Sequence, residues 1–239
     1  MTTPRKSARP KILAIDVGGS NIKCLLSGET KRRKFASGPK LTPQQMVEGV
    51  LELVSDWTFD VVSIGYPGVV RQGAAALEPH HLAPVWVGFD FEAAFGRPVR
   101  LINDAAMQAL GSYQGGKMLF LGLGTGLGSA LIVDGVIVAM ELGHLRRSKK
   151  HDYEDLLGKR GYERLGKKKW RHKVHAVVEG FSAALLPDEI VVGGGKADRL
   201  KKLPPRARRG DNADAFLGGF RLWDESSPAK SPSTYKDLS

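Results

Sequence analysis

Behind a short basic stretch the chain opens on the apolar run KILAIDV (11–17), which ends at two consecutive glycines. A β-branched run closed by a turn signal predicts a buried strand entering a tight turn. NIKCLLSG (21–28) resumes the apolar pattern and TKRRKFAS (30–37) follows as an edge strand, so the three predict a meander. The period then changes. In LTPQQMVEGVLELVSDW (41–57), Met46, Val47, Val50, Leu51, Val54 and Trp57 recur at helical spacing behind Thr42 as N-cap and Pro43 at the first helical position. DVVSIGY (60–66) is again a strand, stopped by Pro67 and Gly68, and RPVRLI (97–102) is another, feeding the helix DAAMQALGSY (104–113). Alternation of this kind predicts an α/β fold.

The second half repeats the theme. KMLFLGLGTGLGSALIVDGVIVAM (117–140) reads as strand, glycine turn, strand, an Asp134-Gly135 hairpin turn, and strand. IDVGGSNIKCLLSG (15–28) and LGLGTGLGSALIVDG (121–135) share one plan, apolar strand, Gly-rich hairpin, apolar strand, which is a weak internal repeat. A basic segment, an amphipathic helix over about 174–186, the strand EIVVGGG (189–195) and a helix NADAFLGGFRLW (212–223) follow. Two lobes are expected, 1–103 and 104–211, with a helix over 212–224 returning to the first and a disordered Ser/Pro-rich tail over 225–239.

Composition narrows the class. Hydrophobic residues make up 42% and charged residues 26% of the chain, the balance of an ordinary globular protein rather than a disordered or membrane one. The apolar run at the N-terminus reaches only from Ile12 to Ile15 before Asp16 interrupts it, too short for a signal-peptide core, so a cytoplasmic protein is expected. The single cysteine, Cys24, excludes an internal disulfide and a thiolate metal cage, and its neighbours suggest plain packing. The net charge of +11 attracts polyanions whatever the fold. It is concentrated in KRRK (31–34), RRSKK (146–150), KKKWRHK (167–173) and PPRARR (204–209), each of which is either a solvated face or a polyanion site.

Three glycine clusters carry candidate chemistry: Gly18 and Gly19 with Ser20, Gly124 and Gly126 around Thr125, and Gly193, Gly194 and Gly195. Glycine lets backbone N–H groups approach phosphate oxygens closely, although a single such hairpin serves only its own turn more often than not. The series Asp16-Val17-Gly18-Gly19-Ser20 with Lys23, then Asn103-Asp104, GLGTGLG, ELGH and VVGGG resembles, in this order, the ROK family of sugar kinases and repressors over about 11–223. The first loop and ELGHL are most similar to its polyphosphate glucokinase branch. The resemblance implies an actin-like (ribonuclease H-like) duplicated two-lobe fold whose central cleft closes on a sugar and a phosphoryl donor, polyphosphate or ATP.

It further implies that Asp104 is the general base for the sugar hydroxyl, a task a carboxylate within hydrogen-bond reach can perform. From the residues alone, an Asp at a helix start is also an ordinary cap. Asp16 is implied to hold Mg²⁺ near the transferring phosphate, where the bare sequence allows an Asx turn; Lys23 reaches a phosphate or merely ends the hairpin in solvent. Asn103, Glu141 and His144 are implied sugar contacts, the last two sharing a face if their turn is helical. Where the family often has a zinc-binding Cys-rich motif, LLGKRGYERLG (156–166) has no cysteine, so no zinc is expected. Where its sugar loop usually offers an Asn before an apolar residue, His81 precedes Leu82, so the acceptor can differ from glucose, whose 6-hydroxyl is otherwise implied. A sugar-responsive binding or regulatory protein is the alternative, disfavoured because only about ten residues precede the first strand and no helix-turn-helix fits there. A degenerate kinase fold binding polyanions, disfavoured by the intact Asp16 and Asp104, is a third. A homodimer is compatible with the sequence, a membrane or nucleic-acid partner is not expected.

Overall fold

A computed structural model describes residues 9–211 and 213–224; the tail over 225–239, Asn212 and the first part of the basic stretch lie outside the described residues. In chain order the elements are β1 (Ile12–Val17), β2 (Asn21–Leu26), β3 (Arg33–Ala36), α1 (Pro43–Leu53), β4 (Val61–Tyr66), β5 (Val70–Arg71), β6 (Ala74–Ala75), α2 (Phe91–Phe95), β7 (Val99–Asn103) and α3 (Asp104–Ser112). There follow β8 (Lys117–Leu123), β9 (Leu127–Val133), β10 (Val136–Met140), α4 (Tyr153–Leu157), α5 (Lys159–Leu185), β11 (Glu189–Gly193), β12 (Ala207–Arg209) and α6 (Asp214–Arg221). Short 3₁₀ turns occupy Leu142–His144 and Ala197–Arg199.

The repeat seen in the sequence becomes a repeated topology. One sheet runs β3-β2-β1-β4-β7 and the other β10-β9-β8-β11-β12, each an antiparallel three-strand meander continued by two parallel strands. This is the expected actin-like, duplicated α/β architecture. The apolar faces of β1, β2 and β4 pack on Met46, Val47 and Val50 of α1. Both faces of β8 are buried, Met118 and Phe120 toward α3 and α6, Leu119, Leu121 and Leu123 toward α4 and α5, as period-two alternation requires of a central strand. Asp134 and Gly135, both at positive φ, close the β9–β10 hairpin as the sequence predicts.

Helix α6 packs against α3, β1 and β4 and so touches both halves. Its Arg221 donates to the carbonyls of Leu110, Gly111 and Tyr113 at 2.6, 2.9 and 3.0 Å, which caps the end of α3. Its Gly219 carbonyl accepts from Ser63 Oγ of β4 at 2.6 Å, and Trp223 Nε1 donates to the same hydroxyl at 2.9 Å.

Three expectations change. The first helix stops at Leu53, because Arg33 of β3 donates to the Leu53 carbonyl and lies 4.0 Å over the Trp57 ring, holding the chain in a turn. The helix expected over 174–186 begins at Lys159 and is broken at Gly166, whose φ of 70° and ψ of 160° leave the helical region. KKKWRHK therefore belongs to α5: Trp170 turns inward and donates to the Leu157 carbonyl at 2.9 Å, while Lys167, Lys168 and Lys169 face out. Part of the fourth basic block is structural, since Arg208 and Arg209 lie in β12 and pair with Glu189 at 2.6 Å and Asp198 at 3.2 Å.

Candidate active site

Asp104 sits where α3 leaves the first sheet. The capping duty open in the sequence falls to Asn103, whose Oδ1 accepts from Ala106 N at 3.0 Å while its Nδ2 donates to the Gly68 carbonyl at 3.1 Å. That leaves one amide hydrogen of Asn103 for a ligand. The Asp104 carboxylate is thus released from the cap, and its Oδ1 accepts from the N–H of Ala105 at 2.7 Å. Close packing holds the first turn of α3 from two sides. A Cβ on Gly65 of β4 would lie 3.4 Å from the Asp104 Cα, and one on Gly128 of β9 would lie 2.8 Å from the Ala105 Cβ. Enclosure at the cleft floor raises the Asp104 pKa to about 7, with the Asp16 carboxylate adding to the rise and the Ala105 N–H opposing it.

A cleft of about 380 Å³ opens above this carboxyl. Asp16, Gly18, Gly19 and Lys23 reach it from the β1–β2 hairpin, Gly124, Thr125 and Gly126 from the β8–β9 hairpin, and Gly194 and Gly195 from the end of β11. Asp16 and Lys23 are directly opposed in the β1–β2 register, and Lys23 Nζ lies 2.8 Å from Asp16 Oδ2. The second hairpin is braced from behind: Lys159 N donates to the Thr125 carbonyl at 2.9 Å, and a Cβ on Gly158 would lie 2.5 Å from that oxygen. Two residues of the glycine clusters are not brought to the lining. Ser20 points to solvent at the hairpin tip, and Gly193 is the last residue of β11, backed against the Phe120 ring. A 3₁₀ turn rather than a longer helix follows Gly194 and Gly195.

Glu141 precedes the 3₁₀ turn and His144 ends it, and both line the cleft, His144 Nδ1 lying 3.9 Å from Glu141 Oε2. Burial holds the Glu141 carboxyl above its usual range; His144 draws it down, Glu154 pushes it up and His80 draws it down. The adjacent histidines of the 78–86 loop part company. His81 has its Cβ against Gly19 of the first hairpin, whereas the His80 ring meets that of His144 edge to face at 6.2 Å. Glu154, Gln108 and His80 line the cleft without having been singled out in the sequence; a Glu-Asp pair and a Gln within helices carry no local signal, and His80 was hidden beside His81.

Asp16 suits a hard cation, since Mg²⁺ keeps most of its waters and needs one or two carboxylates besides phosphate oxygens; its second oxygen is not engaged by Lys23. No group of three or more His, Cys, Asp or Glu able to hold a metal by themselves occurs among the described residues. Cys24 is fully buried in the first core, where desolvation pushes its thiol up to about 12, well away from reactivity.

Two sheets of one strand order, a glycine hairpin from each at the same cleft, and a carboxylate between them define the actin-like class of two-lobed proteins. Residues 12–153 match the ROK family, and the chain belongs to that family. It is 29% identical over 224 residues to the polyphosphate glucokinase of Mycobacterium leprae, covering 82% of this chain and 68% of the relative. It is 27% identical over 155 residues, 56% of this chain and 54% of the relative, to the N-acetylmannosamine kinase of Vibrio cholerae. The crystal structure of the inorganic polyphosphate/ATP-glucomannokinase from Arthrobacter sp. strain KM superposes with a TM-score of 0.76 at 26% identity, covering 89% of this chain and 98% of that one.

Proposed function

We propose that this protein is a sugar kinase that moves a phosphoryl group from polyphosphate or ATP to a hexose hydroxyl, with the 6-hydroxyl of glucose as the first acceptor to test. The observation that carries this reading is Asp104: a carboxyl freed from capping, enclosed, and pushed up to about 7 by burial, between Asn103, Glu141 and His144 on one side and the glycine loops on the other. Asn103, Glu141 and His144 orient the acceptor hydroxyl toward Asp104, which takes its proton as the oxygen attacks the terminal phosphorus and the bond to the donor's bridging oxygen breaks, releasing the donor shortened by one phosphate. The backbone N–H groups of Gly18, Gly19, Gly124, Thr125, Gly126, Gly194 and Gly195 hold the donor's oxygens, with Lys23 as a point charge. Asp16 would hold Mg²⁺ through water, and the bound ion neutralises charge on the phosphoryl oxygens.

Beyond the loops the donor side stays cationic. Burial lowers the Lys196 ammonium from its usual range, Lys159 lowers it further, Glu163 opposes and Arg199 adds to the lowering. Cations crowded beside the third glycine cluster favour a polyanion longer than three phosphates. The test is a coupled assay of hexose and N-acetylhexosamine phosphorylation, run with ATP and with polyphosphate, after chelation and after return of Mg²⁺ alone. Transfer to at least one sugar, lost on chelation and restored by Mg²⁺, is the expected result. A protein that transfers to no sugar from either donor refutes the reading.

A further inference from the structure

We propose that His80 is a direct contact to the acceptor sugar, supplied by the first lobe to join Asn103 of the same lobe and Glu141 and His144 of the second. The inference rests on the sugar-kinase reading and adds to it a residue that the family's usual Asn position does not indicate, since that position falls on His81.

Three observations carry it. The first is placement. His80 and His81 are successive residues of a turn, and their side chains part there: His81 backs onto Gly19 while the His80 ring stands edge to face with His144. His80 is therefore on the acceptor side of the cleft and His81 on the side of the first phosphate loop. The second is rigidity. The loop that bears His80 is fixed from both directions: Tyr66 Oη donates to the Leu77 carbonyl at 2.8 Å, the Glu78 carboxylate accepts from the N–H groups of Trp86 and Val87 at 2.9 and 3.3 Å, and Leu82 and Trp86 are buried in the first core. A side chain presented from such a base binds with little loss of conformational entropy. The third is chemistry. His80 is exposed to the cleft and makes no hydrogen bond among the described residues, so both ring nitrogens are open. A neutral imidazole offers one donor and one acceptor, the same pair a sugar hydroxyl offers in return. A hydroxyl held by His144 lies within reach of His80, because the two rings already meet across the cleft.

The test compares wild type, His80→Ala, His80→Gln and His81→Ala. Sugar binding is measured by calorimetry without donor, and initial rates are measured with each substrate varied in turn. In His80→Ala the acceptor KM and dissociation constant are expected to rise about five- to tenfold, the scale of one lost hydrogen bond, with the donor KM unchanged. In His80→Gln, whose amide nitrogen reaches about as far as the ring Nε2, most of the affinity returns. Equal sugar affinity in His80→Ala and wild type overturns the proposal, as does a change in donor KM with acceptor KM unaltered. Wild type that binds sugar but transfers nothing refutes the kinase reading alone, and the calorimetric comparison then decides the role of His80. Wild type that neither binds nor phosphorylates any sugar overturns both.

Discussion

At the scale of single residues, the same burial that raises the Asp104 pKa makes its charged form costly to the fold. An unfolded aspartate titrates near about 4, whereas the folded carboxyl titrates at about 7. Between those values the native state binds more protons than the unfolded one, so this group's contribution makes stability fall as pH rises through the window and level off above it. The loss amounts to at most about 4 kcal/mol, since water reaching the cleft floor softens it. Asp104→Asn keeps the shape and removes the charge. It is expected to cut turnover by about two to four orders of magnitude while sugar and donor still bind. It is also expected to raise the melting temperature at pH 8 and not at pH 4, measured without ligands. A variant with full turnover, or one whose melting temperature is the same as wild type at both pH values, contradicts the assignment of Asp104 as an enclosed base.

The helix pair α3 and α6 is the element on which the position of Asp104 depends. The helices cross at glycines so closely that a Cβ on Gly111 would lie 1.8 Å from the Asp214 carbonyl oxygen, and one on Gly218 would lie 1.8 Å from that of Met107. Both obstacles are backbone, so no rotamer relieves them. Gly111→Ala should therefore destabilise the protein by about 3 kcal/mol or more, read by urea denaturation, and the residual folded enzyme should lose turnover more than substrate affinity. Wild-type stability in this variant would mean that the helices do not meet as described. The elements themselves were largely legible in the sequence: β1, β2, β4, β8, β9 and β11 are short, predominantly apolar runs bounded by turn signals, and the Thr42-Pro43 start of α1 announces itself. The part of α5 over 159–173 was not, because outward lysines and arginines dilute its apolar stripe to Tyr162, Leu165 and Trp170, and β12 was concealed within a basic block whose arginines bridge to acids distant in sequence. In the candidate site, the residues near glycine loops could be read locally, but three relations could not. The Asp16–Lys23 pair needs the strand register, the release of Asp104 needs Asn103 to take the cap, and the divergence of His80 from His81 needs the loop's path.

At the scale of the whole molecule, the excess of cations becomes informative only once it is mapped. Lys167, Lys168 and Lys169 lie on the outer face of α5, away from the cleft lining, whereas Lys159 and Lys196 stand beside the second and third glycine clusters. If polyphosphate is the donor, its KM should climb with salt, as polyanion binding does when counterions are released. That climb should be shallower, and the starting KM higher, in a Lys159→Ser/Lys196→Ser variant, with the KM for ATP changing less. A Lys167→Ser/Lys168→Ser/Lys169→Ser variant serves as the comparison, and an equal effect from both triple and double changes would leave the donor track unassigned to Lys159 and Lys196. The repeated strand order has a consequence of its own. One step back from the last paired residues of each hairpin, the first carries Asp16 opposite Lys23 and the second carries Gly122 opposite Gly128. Two halves built on one plan would, if chemically alike, present a phosphate chain with equivalent grips and no preferred sense of travel. The substitution of bare backbone for an ion pair at matching positions breaks that equivalence, and gives the cleft a forward and a reverse end.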